Sequence, residues 1–496
     1  MARNNSVRID RLVVKACEKD LVDSGGLAIV MKFLEMLGVF KLCDQRLPSS
    51  SSNSGYEPSV YVKTLFALCL LYPDAKAPLE RIDDFRDSRA VRRMLGLKKI
   101  PTAKSVGDWL RRMANREVEA RLGDDRWLLR GYPDGLTRMQ DLHYEIATMV
   151  LKEMRPVLSG MLDFDACAIA GEKTCDVKMY TGEKGTMSYL SFVEGICLMA
   201  ELEPGNHSPS DNICRRVASC VDICKAAGIR VLQFRSDAAA FESAVMNLCV
   251  KQGITFYIRA DNDEAVRRVY AKIDDWRLWE VRSSKSSELR ELGIGLHCMD
   301  HTDEAFILVA KRELVPNVAE KDSAQLPLSK LESTDYRYFS IATNELVTSD
   351  PAEDIGWATP AMVVETYNKR ADSAENRIKD LVSDAQGGRL PTSDLAANRV
   401  YFYIMACLHN LLALFKHRCF DPECRKMRLP TLVRKFLKVA AKVTFHARAL
   451  TLCLPAYMEH LADTYQRILD MISILPRLFH KGRRVIAFHK LVFRRE

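Results

Sequence analysis

Gly160-Met161-Leu162-Asp163-Phe164-Asp165-Ala166-Cys167-Ala168-Ile169 sets two carboxylates two positions apart in an otherwise apolar run. Side chains alternate across a strand, so both acids would leave the same face of one. A carboxylate in apolar surroundings is costly unless it pairs or holds a cation. The run therefore reads either as a strand presenting a metal site or as an edge strand ending at solvent. A second apolar run that ends in an acid, Phe234-Arg235-Ser236-Asp237-Ala238, favours the metal reading.

Working outward, strand-like stretches fall at 161–169, 188–200 and 229–235, with a helical pattern over 211–227 between the last two. A helix over 240–252 and a strand over 255–261 follow. This alternation predicts an α/β sheet, and open α/β sheets bind ligands at the strand ends, where these acids lie. Residues 262–350 carry shorter strand-like runs and both Trp276 and Trp279. They read as a β-rich insertion set apart from the first sheet. Upstream, apolar residues at helical spacing predict an α-helical N-terminal region over 1–155, in which 8–45 holds one strand-like stretch and one amphipathic helix. A serine-rich break at 48–55 follows that helix. Pro101 to Arg112 reads as a turn and a helix with Ser105 at its N-cap, a pattern shared by major-groove readers and plain helical bundles. Downstream come a charged helix over 366–381 ended by Gly387-Gly388, an apolar helix over 398–415, and a tail whose Lys435, Lys438, Lys442 and Arg448 are spaced as on one helix.

At 496 residues and 48% hydrophobic content the chain can bury large cores. No apolar run is long enough to span a bilayer comfortably, and the first ten residues lack a secretory pattern. Both favour a cytoplasmic protein without membrane contact. The 15 cysteines are scattered through apolar segments with no Cys-x-x-Cys pair, so buried thiols are expected and not disulfides. His417, Cys419 and Cys424, and the group His297, Cys298, Asp300 and His301, lack a recognised zinc spacing and read as loop residues. Charge is concentrated: residues 416–496 hold 18 Lys plus Arg against 6 Asp plus Glu, whereas the whole chain is only +8. A basic tail on a near-neutral body fits a phosphate-rich partner.

Three carboxylates drawn from separate parts of a chain can hold two Mg²⁺ ions about 4 Å apart, with Mn²⁺ as substitute. The set here would be Asp165, Asp237 and a later helical acid, Glu375, which requires the insertion to loop out between the last two.

The motifs Leu162-Asp163-Phe164-Asp165-Ala166-Cys167, Gly205-Asn206-His207-Ser208, Arg235-Ser236-Asp237-Ala238 and Tyr367-x-x-Arg370 with Glu375-Asn376-x-Ile378-Lys379 resemble bacterial insertion-sequence transposases of the DDE class, in the branch called transposase DDE domain group 1. The resemblance runs over nearly the whole chain. It implies a ribonuclease H-like catalytic core over 156–261 and 351–415, interrupted by the β-rich insertion at 262–350, with a basic α-helical region over 416–496. It implies further a nucleoid-associated enzyme of DNA recombination, acting as a Mg²⁺-dependent endonuclease and strand-transferase of a mobile element. Its partners would be double-stranded DNA, as terminal inverted repeats and target, and a second copy in a homodimer on DNA. Residue by residue, Asp165 matches the first acid, with Asp163 the alternative occupant. Asp237 matches the second and Glu375 the third. Tyr367, Arg370 and Lys379, with Lys435, Lys438 and Lys442, would contact DNA, and Trp276 or Trp279 could stack on a base, against a plain core role. Two departures stand out: Cys167 replaces the usual Thr, and one extra residue separates Arg370 from Glu375. On a regular helix five positions differ by about 140°, so either a local bulge restores the register or Arg370 has lost its place by the phosphate. A catalytically impaired DNA-binding remnant is the alternative function that this departure motivates, and an unrelated metal-dependent hydrolase is a third.

Overall fold

The structure is a computed structural model that describes residues 20–49, 55–73, 79–122, 125–154, 159–282, 287–314, 336–350, 356–370, 374–446, 449–474 and 478. The N-terminal part is built on helices α1 (Leu27–Leu37), α2 (Val39–Arg46), α3 (Pro58–Leu71), α4 (Ala103–Met113) and α5 (Gly135–Met154). Where the apolar spacing reads as one helix, Gly38 at φ 86° ends α1 and starts α2 at a new angle. Thr102, and not Ser105, caps α4: its hydroxyl accepts the Ser105 amide at 3.1 Å. The apolar face of α4 (Val106, Trp109, Leu110, Met113) is buried, with Trp109 stacked on Tyr61 at 4.7 Å. The expected helical region also contains a β-hairpin, Val118–Leu122 with Asp125–Leu129.

The sheet grows from the acidic run. Strand β1 (Ser159–Ala170) lies between β2 (Lys184–Val193), antiparallel to it, and β4 (Arg230–Ser236), parallel to it. Strand β3 (Ile196–Pro204) pairs with β2, and β5 (Thr255–Arg259) runs parallel to β4, giving the order β3-β2-β1-β4-β5. The single strand expected over 188–200 is thus a hairpin. It turns at Glu194 and Gly195, at φ 52° and 83°, the paired left-handed residues of a type I′ turn. Helices α6 (Ile213–Ala226) and α7 (Ser243–Gln252) make the crossovers into β4 and β5.

The segment 262–350 does not stand apart, as the sequence suggests. Strands β6 (Arg277–Arg282), β7 (Ser287–His297), β8 (Phe306–Leu314) and β9 (Tyr336–Thr343) form an antiparallel run, and β9 pairs with β5, placing Ile341 opposite Arg259. One ten-stranded sheet results, with Val177–Lys178 at its far edge. The edge of β5 would otherwise be open, and main-chain pairing with the insertion closes it. Helix α8 (Pro360–Asn368) lies over this extension, with Val363, Val364 and Tyr367 in a small core with Tyr257, Val309 and Ile341.

Helix α9 (Leu395–Cys419) is nearly all buried and is the shared spine. On one side Asn410 clamps β3, accepting the Cys197 amide and donating to its carbonyl, each at 2.8 Å. On the other, Phe415 meets Phe33 of α1 edge-on at 5.1 Å. Each such buried aromatic contributes about 1.5–3 kcal/mol, so one core joins the N-terminal helices to the sheet.

The C-terminal region is not all helical. After short helical turns at 429–437, strands Ala441–His446 and Ala449–Cys453 form a hairpin that pairs with Leu21–Val22, and only then does helix α10 (Glu459–Ile474) follow. Lys435, Lys438 and Lys442 therefore sit on a helical turn, at its end and on a strand, and Arg448 lies outside the described residues. Alternation of Ala441, Val443 and Phe445 with polar residues is a strand pattern that the lysine spacing masks. The described cysteines are free thiols. Among the described residues no helix is long and apolar enough to cross a membrane.

Candidate active site

Two rows of side chains cross the parallel strands on one face. In the first, Asp163 of β1 stands beside Arg235 of β4, which stands beside Tyr257 of β5. Arg235 grips both oxygens of Asp163 at 2.7 and 2.9 Å and donates its third nitrogen to the Thr366 carbonyl at 2.7 Å. The Asp163 and Arg235 side chains are only 2% and 4% exposed, so Asp163 is already neutralised by a fork that matches its two oxygens. Two positions further along come Asp165, in mid-strand on β1, Asp237, just past the end of β4, and Arg259, the last residue of β5.

Asp237 caps the turn Ala238–Ala240, accepting the Ala239 amide at 3.1 Å. Glu375 reaches the same place from the far side of the insertion. Arg370 joins them: its guanidinium donates to Asp165 at 2.7 Å and lies 3.6 Å from Glu375. Asp165 and Arg370 are 13% and 12% exposed and Glu375 is 48% exposed, so the cluster opens at the glutamate. Burial pushes the Asp165 carboxyl up to about 6, with Asp237 and Glu375 adding to the rise and Arg370 opposing it. Burial alone would weaken the hold of Arg370 on its proton, but Asp165, Tyr367, Asp237 and Glu375 outweigh that and leave it above the ordinary value. Tyr367 lies under Arg370 at 5.8 Å.

Ala374 and Glu375 open their segment in a wide, π-type turn, and residues 379–384 form another. A turn widened by one residue brings positions five apart back towards one face. Arg370 and Glu375 lie 3.6 Å apart despite the extra residue between them; of the intervening residues only Ala374 is described. Lys379 is exposed, as are Lys435, Lys438 and Lys442, and among the described residues none of the four makes an ion pair.

Trp276 and Trp279 lie against opposite faces of the sheet extension. Trp276 packs where Gly293 leaves room for its ring and is covered by Arg312 at 4.5 Å. Trp279 packs against the small core under α8, with its indole nitrogen buried. The two indoles therefore cannot serve one base together.

Two arginines belong to the site that motif reading leaves without a role. Arg235 ties the second-acid strand to the backbone next to Tyr367, and its signal is a charge inside an apolar strand, two positions before Asp237. Arg259 ends β5 exposed, held over the Phe339 ring at 5.1 Å and close enough to Asp261 to act on its carboxyl, and makes no ion pair among the described residues. Its signal is a lone cation closing an apolar strand.

The donor set suits a hard divalent cation, three carboxylates from three elements with no sulfur or imidazole among them. As the chain stands, Arg370 bridges two of the acids, and among the described residues no three His, Cys, Asp or Glu side chains gather closely enough to hold a metal. The sets around His297 and Cys419 form no such group either. A cation would take over the neutralising role that Arg370 now fills at Asp165.

Comparison with known proteins bears on this geometry. Residues 334–477, which include Tyr367, Arg370 and Glu375, match the family described as Transposase DDE domain group 1. A piggyBac transposase in a synaptic complex with hairpin DNA, solved by cryo-electron microscopy, aligns with 93% of this chain and 87% of its own at 11% identity and a TM-score of 0.38. None of the curated proteins matches this chain.

Proposed function

We propose that this chain is a DDE transposase that cuts the ends of a mobile element and joins the freed 3′ ends to target DNA. The observation that carries the reading is the convergence of Asp165, Asp237 and Glu375, separated by 72 and 138 positions in sequence, around one arginine. The strand order β3-β2-β1-β4-β5, with β2 alone antiparallel to its partners among the inner strands, supports a ribonuclease H-like core. The match over 334–477 supports the reaction class.

Asp165, Asp237 and Glu375 would hold Mg²⁺, or Mn²⁺ in its place. When bound, such ions activate the attacking oxygen and stabilise the leaving oxygen of a phosphodiester. The chain supplies the rest. Asp165 must give up its proton, which burial, with Asp237 and Glu375 adding and Arg370 opposing, holds to about pH 6. Arg370, released from Asp165, keeps its charge and faces the scissile phosphate. Lys379, one turn after Glu375, and Arg259, at the end of β5, are placed for flanking phosphates. The Asp163–Arg235 pair fixes the relative height of β1, β4 and the start of the Tyr367–Arg370 segment and binds no metal. Lys435, Lys438 and Lys442 add sequence-independent affinity for DNA. Synapsis of two ends calls for a second copy of the chain.

Purified protein incubated with Mg²⁺ or Mn²⁺ and DNA carrying the element's ends should nick that DNA at the repeat boundary. Asp237→Asn should abolish nicking with end binding retained. Undiminished nicking in that variant would refute the assignment. Retained end binding with no heat on Mn²⁺ titration of the unaltered chain would favour the DNA-binding remnant.

A further inference from the structure

We infer that Asp380, Asp384 and Arg428 are positioning residues for Glu375, forming an ionic latch of two buried acids and a half-exposed arginine that lets the basic C-terminal region set where the third acid stands. The inference rests on the reading of Glu375 as a metal-holding acid. Glu375 lies in the first turn of a helical segment ending at Asp384, and among the described residues no side chain caps that turn. The apolar side of the segment (Ala374, Ile378, Leu381) is buried in the main core, which fixes its depth. Apolar contacts are non-directional, so they leave rotation and sliding of the segment weakly determined. Directional bonds on the polar side supply what is missing.

Arg428 places its fork on Asp384, at 2.8 and 2.9 Å, and its Nε 3.3 Å from Asp380. Arg377 holds the other oxygen of Asp380 at 3.1 Å. Asp380 and Asp384 are both buried, one turn apart on one helix, an arrangement that repels unless cations intervene. A third cation does: Lys416 of α9 is buried beside them, and it donates to the Met427 carbonyl at 2.9 Å, fixing the residue that precedes Arg428. Burial drops the Lys416 ammonium to about 8, with Arg377 lowering it further and Asp380 and Asp384 opposing. The latch thus ties three elements together: the Glu375 segment, the spine α9 and the part of the basic region around Arg428. Replacing such a network by apolar residues is often neutral or stabilising, so stability alone gives no reason for it. Fixed geometry does, because a carboxylate that holds a metal loses affinity once its support is loosened.

The test is Mn²⁺ binding to the full chain by calorimetry, without DNA. Arg428→Gln and the milder Asp384→Asn should each weaken Mn²⁺ affinity about tenfold or more, while end binding and secondary structure stay unchanged. Arg46→Gln, which breaks an ion pair between α2 and Glu145 of α5, should lower stability and leave Mn²⁺ affinity unchanged. Glu375→Gln reports on the underlying reading. If it leaves Mn²⁺ affinity intact, the metal assignment itself fails. If it weakens Mn²⁺ binding while Arg428→Gln and Asp384→Asn do not, the latch is overturned and the assignment stands.

Discussion

Asp163 and Asp165 leave the same face of the same strand, yet their replacement should move stability in different directions. Asp163→Asn removes the two-oxygen partner of Arg235 at 2.7 and 2.9 Å and strands a guanidinium that is 4% exposed. Breaking a buried pair from one side costs about 3–5 kcal/mol. Asp165 is the opposite case. Its carboxyl is pushed up from 3.8 to about 6, so each pH unit between them costs the fold about 1.4 kcal/mol while the group is ionised. At pH 7 that sums to about 3 kcal/mol. An acid whose folded value is raised is destabilising above that value, and the deficit fades as pH falls from about 6 towards 3.8. Asp165→Asn removes the deficit but leaves Arg370 with Glu375 at 3.6 Å and Asp237 nearby, so part of the gain is lost. At pH 7, Asp163→Asn should therefore be less stable than Asp165→Asn by about 3 kcal/mol or more, and the gap should narrow below pH 6. Chemical denaturation of both variants, with Mn²⁺ calorimetry alongside, measures this. Mn²⁺ binding should survive Asp163→Asn and be lost in Asp165→Asn. Equal stabilities, or Mn²⁺ binding lost only in Asp163→Asn, would refute the division of roles between the two acids.

Other outcomes follow from the same structure. His143 is fully buried against Tyr144 and Tyr403, and burial lowers its ring to about 3. The unfolded chain takes up that proton near 6.5 and the fold does not, so stability is lost as pH falls from 6.5. His143→Leu should flatten the decline between pH 6.5 and 4 by about 3 kcal/mol, read by denaturation at several pH values. Gly26 abuts the C-terminal region so closely that an added Cβ would lie 1.9 Å from the Phe436 carbonyl oxygen. Gly26→Ala should destabilise by about 1–3 kcal/mol and loosen residues 436–443, seen as faster amide exchange there. Each of Lys435→Gln, Lys438→Gln and Lys442→Gln should weaken end binding alike for all sequences and reduce the salt slope by about 1.

The parts of this fold governed by local pattern were legible in the sequence. Alternation and helical spacing gave β1, β4, β5, α6, α7 and α9 close to their bounds, and the carboxylates at i and i+2 on β1 do share a face. What depends on pairing between distant segments was not legible. Nothing local says that β9 adds to the edge of β5, because edge pairing is made by main-chain groups that every residue carries. The β2–β3 turn was hidden because Glu194 adopts the left-handed conformation usually signalled by Asn or Asp. The lysine spacing of the tail fits a helical stripe because cations are tolerated on either element, and the alternating apolar residues between them decide the strand. At the site, motif spacing singles out Asp165, Asp237 and Glu375, of which Asp165 and Glu375 flank Arg370. It could not separate Asp163 from Asp165, since their difference lies in distant partners: register sets Arg235 against the first, whereas Arg370 reaches the second from another element.

If the three acids hold the metal with which the chain cuts DNA, changing the softness of one ligand should change which metal supports cutting. A thiolate binds Mg²⁺ poorly and accepts softer divalent ions better than a carboxylate site starved of oxygen. Cleavage of end-bearing DNA by Asp237→Cys should therefore be lost in Mg²⁺ and recovered in Mn²⁺, with end binding unchanged in both. Cleavage by Asp237→Cys that is undiminished in Mg²⁺, or absent in Mn²⁺ while the protein stays folded and bound to DNA, would contradict the account.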